Sequence, residues 1–465
     1  MSTYSMPVKR GFFMQQELRF AGKVCTLALL CSLTLVPAAY ATNGMDMEGY
    51  GPIATGMGGA SMAYDNGSAA VMNNPATLGL MPEGNRLDVF LGFLQPNIQT
   101  SVPGAPAAES TSNLFMMPAV GWVQKKGDFA YGFGVFAQGG MGTQYNVGSW
   151  PTFGSPDKVR SELGVGRAII PLAWNVTKGL TVAGSFDYVW ATLDLQMALP
   201  GSMFAGLVNG AAGPAISGGA LAGLAGAPWV RLDFSGGGAD NGAARGTGFA
   251  GKLGATYKIT SDFTVGAVYQ SRTYLSDLQT SPTGAQLSAA GVGPVGIGKI
   301  TVNDFQWPET YGIGVAWNTT QRLLIAVDYR RINWHNNMKD FKMNYQGLLA
   351  GSYGNTVSFA LPQNWNNENV YEIGLAYKFT PAFTSRIGAN LSDNPIPDST
   401  LNYLFPATIK NHYTIGAGYA FNTANSVDVS YTYAPKVSNT NASGPMPVTT
   451  THEQNNFQIM YSLLF

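Results

Sequence analysis

The sequence predicts an all-β fold, a 14-stranded antiparallel transmembrane β-barrel, from two observations. From Arg86 onward apolar and polar residues alternate with a period of two, as in residues 426–433, where Val and Tyr alternate with Ser, Asp and Thr. Strands of this kind have one apolar and one polar face, which is typical of a barrel wall. Short and long connections also alternate along the chain, as they do at the two rims of such barrels.

Six hairpins and two flanking strands give the predicted count of fourteen, and an even count is typical of these barrels. The flanking strands are residues 86–95 and 456–465. The short turns are rich in Gly, Asn, Asp, Thr and Pro, as turns require, and lie at residues 125–128, 175–179, 260–262, 318–321, 380–382 and 422–425. The connections between hairpins are predicted as long loops, the longest being 199–245, 276–306 and 335–368.

The composition supports a wall that faces lipid. Charged residues make up 11% of the chain, against roughly 25% in an ordinary soluble domain, and the chain holds 58 Gly and 12% aromatic residues. Lys+Arg and Asp+Glu balance at 26 each, which argues against a nucleic-acid binder, since that needs a basic surface. A secreted β-sandwich or repeat adhesin is the alternative fold. Charges on the smaller face, such as Asp187, Asp328 and Arg330, disfavour a dry sandwich core.

The N-terminus predicts a signal peptide over residues 1–41. Arg19 and Lys23 precede an apolar run at 24–38, and residues 39–41 form an Ala-Tyr-Ala cleavage site. A retained signal anchor is the alternative, which the short run disfavours. Both cysteines of the chain, Cys25 and Cys31, lie inside this segment, so we expect no disulfide or thiolate site in the mature protein.

Residues 42–85 do not have the pattern of strands. They are small, apolar and Gly-rich, with few charges. A barrel of fourteen strands is too wide for its own side chains to fill, so we expect this segment to fold inside the lumen. The predicted organisation is therefore a signal peptide at 1–41, an N-terminal plug at 42–85 and a barrel at 86–465.

An ordered set of motifs resembles the FadL/TodX family of outer-membrane transporters for hydrophobic compounds. The resemblance extends over essentially the whole mature chain. Its motifs are Ala-Thr-Asn-Gly at 41–44, Gly-Met-Gly-Gly-Ala at 56–60, Asn-Pro-Ala at 74–76, Ser-Asp-Asn-Pro-Ile-Pro at 392–397 and a last hairpin around 416–429.

The resemblance implies passive uptake of long-chain fatty acids or of aromatic and aliphatic hydrocarbons across the bacterial outer membrane. An outer groove between long loops would catch the ligand and pass it to a pocket above the N-terminal plug, the hatch. Movement of the hatch and a kink in the third strand would then open a lateral exit through the wall. The implied partners are these hydrophobic molecules, outer-membrane lipid and lipopolysaccharide. The aromatic C-terminal residue Phe465 also resembles the signal for the barrel-assembly machinery.

The candidate gating residues lie in two places. Asn74, Pro75 and Ala76 form the hatch motif, and Gly139 and Gly140 follow the predicted third strand at 129–138. A glycine cluster at the end of a strand favours a kink or a bulge. An ordinary Gly-rich loop start is the alternative.

The candidate ligand-binding residues are the large apolar side chains of the loop at 199–245. Simple loop packing is the alternative for each of them: Met203, Phe204, Leu207, Leu221, Leu224 and Trp229. No Lys or Arg clearly matches the family's contact with a fatty-acid carboxylate, although Arg160, Arg245, Arg272 and Arg330 are candidates. Neutral hydrocarbons therefore stay open as ligands.

No catalytic, cofactor or metal site is predicted. The three histidines, His335, His412 and His452, lack the spacing of metal ligands. Residues 291–296 fit a G-x-G-x-x-G pattern but lack a strand–helix context, so we expect a loop there. Two other functions remain as alternatives, a general diffusion porin and an outer-membrane lipase.

Overall fold

The computed structural model describes residues 43–210, 224–234, 244–291, 293–347 and 356–465. The predicted signal peptide and Leu221 lie outside these ranges. The described strands, numbered in chain order, are β1 (Gly84–Ser101), β2 (Ala108–Glu109), β3 (Phe115–Lys126), β4 (Phe129–Tyr145), β5 (Val159–Asn175), β6 (Leu180–Leu199), β7 (Val230–Asp233), β8 (Ala244–Lys258), β9 (Phe263–Gln270), β10 (Tyr274–Leu275), β11 (Leu278–Gln279), β12 (Ala285–Ala289), β13 (Gly293–Asn303), β14 (Thr310–Asn318), β15 (Leu323–Ile332), β16 (Asp340–Gly347), β17 (Thr356–Pro362), β18 (Glu368–Lys378), β19 (Phe383–Ser392), β20 (Asn411–Ala420), β21 (Asn425–Asn441) and β22 (Val448–Leu464).

The helices are short. The α-helices are Pro52–Thr55, Gly201–Gly210 and Trp334–Asn337, and the 3-10 helices are Gly67–Val71, Pro75–Leu80, Trp150–Thr152 and Asp398–Thr400. None of the helices in the described ranges combines the length and the apolar character that crossing a bilayer demands.

The strands form one antiparallel sheet that closes on itself. The first strand, β1, pairs with the last, β22, from Arg86 opposite Leu464 to Ser101 opposite Thr449. Going round the wall, each strand pairs with the next along the chain except at four points, where β1 pairs with β3, β6 with β8, β9 with β14 and β15 with β18. The strands passed over lie at the rim of the long connections, where β7 pairs with β12 and β13 with β16.

The predicted count of fourteen strands is wrong. Within the described ranges the sheet contains 22 strands, and 18 of them are five residues or longer. The additional strands lie mostly in segments that the sequence predicts as loops, including β12, β13, β16 and β17. Glycine interrupts the alternation in β13. β16 and β17 do alternate, but the connection between them is longer than a typical hairpin loop, so the sequence gives no hairpin there. Residues 293–296 of the G-x-G-x-x-G pattern, for example, belong to β13.

Five of the six short turns share one device, a Thr or Asn side chain that accepts two backbone N–H groups of the turn. In the turn between β14 and β15, Thr320 Oγ1 accepts from the N–H of Arg322 at 3.1 Å and of Leu323 at 3.0 Å. These bonds satisfy backbone donors that the sheet leaves free, which explains why such residues favour turns. The same arrangement recurs at Thr177, Thr260, Thr380 and Asn422.

The outer face of the wall is apolar and is bordered by aromatic residues. On β18, Ile373 is exposed between Tyr371 and Tyr377, and on β20 Ile415 is exposed between Tyr413 and Tyr419. The tyrosines of each pair are six residues apart, which at about 3.3 Å per residue is about 20 Å. This is close to the height of the apolar band of a membrane barrel, about 25 Å.

The N-terminal segment fills the lumen from the level of the short turns to that of the opposite strand ends. Residues 43–83, called the hatch below, are almost entirely buried. Contact with the wall depends on glycine at Gly58, which has a φ of +71° and donates its N–H to Thr414 Oγ1 at 3.0 Å. A Cβ at Gly58 would lie 2.5 Å from the carbonyl oxygen of Ala389, so only glycine fits.

The apolar outer face predicts a depth-dependent cost for a charge. We expect Ile373→Arg to destabilise the folded barrel by about 2–4 kcal/mol, because the substitution places a cation in the middle of the hydrocarbon. Phe421→Arg, an equally exposed site beside a short turn, should cost at most about 1 kcal/mol. Urea unfolding of barrels refolded into lipid vesicles measures both, and an equal loss would contradict the assigned membrane position.

Candidate functional site

An apolar cavity of about 250 Å³ lies at the rim of the long connections. Trp150 and Tyr403 form one side of it, with ring centroids 5.0 Å apart, and the helix Gly201–Gly210 forms another. None of its lining residues carries a charge. They are Val102, Trp150, Phe153, Met197, Leu199, Met203, Leu207, Leu361, Pro362, Ser399, Thr400, Leu401, Asn402, Tyr403, Asn441, Gly444, Pro445, Met446 and Val448.

Only two of the described candidate ligand-binding residues line this cavity. Met203 and Leu207 line the cavity. Phe204, between them on the helix, points away and packs on Phe359, with ring centroids 5.9 Å apart. Leu224 is fully buried in the core, and Trp229 is half-buried and does not line the cavity.

The hatch motif lies where the hatch meets the wall near the short turns. Asn74 caps the 3-10 helix Pro75–Leu80 by accepting the N–H of Ala76 at 3.1 Å. Its amide also donates to the carbonyl of Met62 at 2.8 Å and to that of Ala255 in β8 at 3.3 Å. Asn74 therefore joins two parts of the hatch to the wall, while Pro75 supplies the first residue of the helix.

A β-bulge interrupts β4 between Ala137 and Gly139, where β4 pairs with β5. Gly139 and Gly140 lie inside the strand, which continues to Tyr145. The N–H of Gly140 donates to the carbonyl of Met45 in the hatch at 3.1 Å. A Cβ at Gly139 would collide with that same carbonyl, so the two glycines let the hatch approach the bulge closely.

The wall opens between β3 and β4 beside this bulge. Their ladder runs from the turn only as far as Val120 opposite Val135, although both strands continue beyond that pair, β3 to Phe115 and β4 to Tyr145. Pro118 of β3 has no N–H to donate at this break. A small cavity of about 30 Å³ lies there, lined by hatch residues Met47, Tyr50 and Gly51 and by wall residues Phe90, Leu91, Gly92, Met117, Ala119, Phe136, Ala137 and Gln458. We call this break the window.

Charged groups of the wall hold the hatch in place. Arg330 of β15 donates to Asp46 at 3.1 Å and to the carbonyl of Met47 at 3.3 Å, and it also pairs with Glu372 at 2.9 Å. Asp328 accepts the N–H groups of Ser61 and Met62. Burial raises the pKa of Asp46 from its usual value, partly offset by the Arg330 guanidinium.

The four candidate arginines lie apart from the apolar cavity. Arg330 belongs to the hatch contacts, and Arg160 is buried near Asp194, at 3.3 Å. Arg245 and Arg272 are exposed, and Arg272 lies over the ring of Tyr274 at 5.1 Å. None of the four lines the cavity. Within the described ranges there is no cluster of three or more His, Cys, Asp or Glu side chains arranged to hold a metal ion.

Several residues of this site carry no signal in the sequence. Tyr50, Gln138 and Arg167 meet at the bulge from the hatch, β4 and β5, and nothing in their spacing predicts that contact. The aromatic wall of Trp150 and Tyr403 likewise comes from two separate loops. Only the apolar character of the loop that contains Met203 and Leu207 was visible beforehand.

A closed β-barrel with its lumen filled by an N-terminal hatch, an apolar outer cavity and a break in the wall defines a class of membrane channel. The chain belongs to the family described as outer membrane protein transport protein (OMPP1/FadL/TodX), whose model matches residues 29–460. The predicted family and the outer-membrane location are therefore confirmed, and the members of this family are transport proteins.

Solved structures of related channels superpose on nearly the whole chain. The toluene transporter TodX of Pseudomonas putida is 29% identical, with a TM-score of 0.79 over 90% of this chain and 99% of that chain. The toluene transporter TbuX of Ralstonia pickettii is 31% identical, with a TM-score of 0.73 over the same shares. A Pseudomonas aeruginosa FadL homologue has the same fold at 15% identity, with a TM-score of 0.70 over 90% of this chain and 99% of that chain.

A curated protein of Chlorobium limicola also matches part of the chain. It is described as an uncharacterized protein in the phosphoenolpyruvate carboxykinase gene 5' region and is 55% identical over 75 residues. The match spans 16% of this chain and 37% of that protein's length.

The contacts of Asn74 predict a loosened hatch when its side chain is removed. We expect Asn74→Ala to raise amide hydrogen exchange in the helix Pro75–Leu80 by roughly tenfold, since it removes the cap and two buried hydrogen bonds. The barrel itself should stay folded and heat-modifiable. Asn97→Ala, at an exposed site on β1, is the control, and unchanged exchange in Asn74→Ala would remove the anchoring role.

Proposed function

We propose that this protein is a passive outer-membrane channel for small neutral hydrophobic molecules, with monoaromatic hydrocarbons as the class that fits best. The observation that carries the proposal is the outer cavity, which is apolar and aromatic and has no charged residue in its lining. Such a cavity takes up hydrocarbon surface favourably. A cavity of about 250 Å³ suits one or two small rings better than an extended acyl chain.

The placement of the arginines supports a neutral ligand. Burying a carboxylate without a cationic partner is costly, and the four candidate arginines lie elsewhere. Arg330 in particular is already bonded to Asp46, to the Met47 carbonyl and to Glu372. Fatty acids are therefore the less favoured of the two ligand classes.

The related structures support the same ligand class. TodX and TbuX are described as toluene transporters, and CymD, 26% identical with a TM-score of 0.67 over 90% of this chain and 98% of that chain, as a monoaromatic hydrocarbon channel. A general diffusion porin has an open lumen, whereas residues 43–83 occupy the lumen here. No lipase site is proposed.

The proposed route leads from the outer cavity through the apolar core to the hatch and out through the window. Displacement of Met45 and Tyr50 would join the lumen to the window, which the apolar side chains of Phe90, Met117 and Phe136 line. In this proposal Asn74, Pro75 and Ala76 anchor the hatch. Gly139 and Gly140 contact the hatch at Met45, and this contact breaks when the hatch moves. The exposed outer face would contact lipid and lipopolysaccharide, and Phe465 would be recognised by the barrel-assembly machinery.

Uptake of labelled toluene, benzoate and palmitate by cells that express the protein tests the ligand class. Toluene should enter faster than in cells without the barrel, whereas benzoate and palmitate should not. Faster entry of palmitate together with unchanged entry of toluene would overturn the assignment to neutral ligands.

A charge inside the outer cavity should block uptake. We expect Leu207→Glu to slow toluene entry at least tenfold at low concentration, because the carboxylate must stay hydrated where the ligand binds. Gly206→Glu is a matched control on the same helix, since this glycine is exposed and a Cβ there meets no atom within 4 Å. Equal uptake by the two variants would show that the cavity is not part of the transport route.

A large side chain in the window should block exit. We expect Ala137→Trp to reduce toluene uptake several-fold, because the indole is larger than the cavity that Ala137 lines and would project across the window. Heat-modifiability of the variant verifies that the barrel still folds. Ile170→Trp, on the outer face of the neighbouring strand, is the control. If Ala137→Trp transports normally, the exit does not pass between β3 and β4.

A further inference from the structure

A chain of buried polar contacts reaches the β4 bulge from one side of the barrel. Lys252 of β8 and Arg167 of β5 both pair with Asp187 of β6, at 2.9 and 2.7 Å. The Arg167 Nε then donates to the side-chain oxygen of Gln138, the bulged residue, at 2.6 Å. All four side chains are almost fully buried, so these bonds are not exchanged for water in the closed protein.

A second chain reaches the same bulge from the opposite wall through the hatch. Glu372 of β18 pairs with Arg330 of β15, and Arg330 pairs with Asp46 of the hatch. The Tyr50 hydroxyl lies 2.7 Å from Asp46 Oδ1 and 2.6 Å from the backbone carbonyl oxygen of Gln138. Tyr50 is thus the side chain that connects the two halves across the lumen.

The position of Gln138 makes this contact specific. A bulge takes a residue out of the regular ladder, and no β5 partner faces Gln138 between the pairs Ala137–Gly166 and Gly139–Val165. Its buried carbonyl therefore needs a donor from elsewhere, and the Tyr50 hydroxyl supplies one. The bulge stands beside the window, so this bond fixes the window edge to the hatch.

The Tyr50 hydroxyl has one proton and two acceptors within reach, one in the wall and one in the hatch. Burial and the neighbouring Asp46 raise the pKa of Tyr50 well above its usual value, so the hydroxyl keeps that proton. When the hatch leaves, Tyr50 retains Asp46 as its acceptor, and the Gln138 carbonyl loses the Tyr50 hydroxyl. The contact can therefore break without leaving a buried hydroxyl unpaired in the hatch.

We propose that Tyr50 is a positioning residue that couples the hatch to the window, so that displacement of residues 43–50 and rearrangement of the β4 bulge occur as one event. The inference rests on the proposed function for its role in transport, but the coupling itself requires no ligand. The direct bond from the Gly140 N–H to the Met45 carbonyl, 3.1 Å long, gives a probe at the junction.

Site-resolved amide hydrogen exchange of the full-length mature barrel in detergent tests the coupling. In Tyr50→Phe we expect exchange at Gly140 to rise about tenfold, the effect of losing one buried hydrogen bond. Tyr64→Phe is the matched control, because the Tyr64 hydroxyl donates to Ala60 within the hatch, at 2.6 Å, and not to the wall. Wall amides of β20 and β21 should exchange at the wild-type rate in both variants, which verifies folding.

The result that would overturn the proposal is equal exchange at Gly140 in Tyr50→Phe and the wild type, or an equal rise in both variants. Toluene uptake gives a second readout that general loosening of the hatch would not produce. Tyr50→Phe should lower the maximal rate several-fold and leave the half-saturating concentration, set at the outer cavity, unchanged. If the wild type does not transport toluene, the proposed function fails while the exchange experiment still decides the coupling.

Discussion

Backbone hydrogen bonding in lipid is the constraint on which the rest of this structure depends. Because hydrocarbon offers no partner to an N–H or C=O group, a membrane-crossing sheet must close on itself, and here β1 closes on β22 through sixteen paired residues. The ladder between β3 and β4 ends early and so departs from this requirement for continuous backbone pairing. The wall gives up backbone pairing there, and the apolar window with the hatch behind it lies at that place.

Closing so many strands creates a lumen that must itself be filled. The hatch fills it with small residues and methionines, and the wall provides room through glycines such as Gly374 and Gly388, where a Cβ would collide with Met57 and Gly58. Charged residues are distributed unevenly between the hatch contacts and the outer cavity. Arg330, Asp328 and Glu372 lie around the hatch and bond to its backbone or to each other, while the lining of the outer cavity has no charged residue. Polar bonds thus hold the hatch, while the outer cavity stays apolar.

The sequence predicted the closed barrel and the alternation of short turns with long connections. Two-residue alternation and turns rich in Thr and Asn are local signals. It did not predict the strand number, since glycine interrupts the alternation in β13 and the connection between β16 and β17 is longer than a typical hairpin loop. In the site, Met203 and Leu207 were among the predicted ligand residues, but Phe204, Leu224 and Trp229 do not line the cavity. Phe204 lies on the other face of a helix that the sequence does not reveal. The contact of Tyr50 with Gln138 joins residues 88 positions apart, which a single sequence does not reveal.

The methionines of the hatch make its movement chemically visible. All six of them, Met45, Met47, Met57, Met62, Met72 and Met81, are buried, so a soluble oxidant meets their sulfur atoms only when the hatch leaves its seat. Oxidation converts each thioether into a polar sulfoxide that no longer suits an apolar niche. The rate at which peroxide oxidises these methionines would therefore report how often the hatch is displaced. After prolonged exposure the oxidised hatch would no longer pack in the lumen.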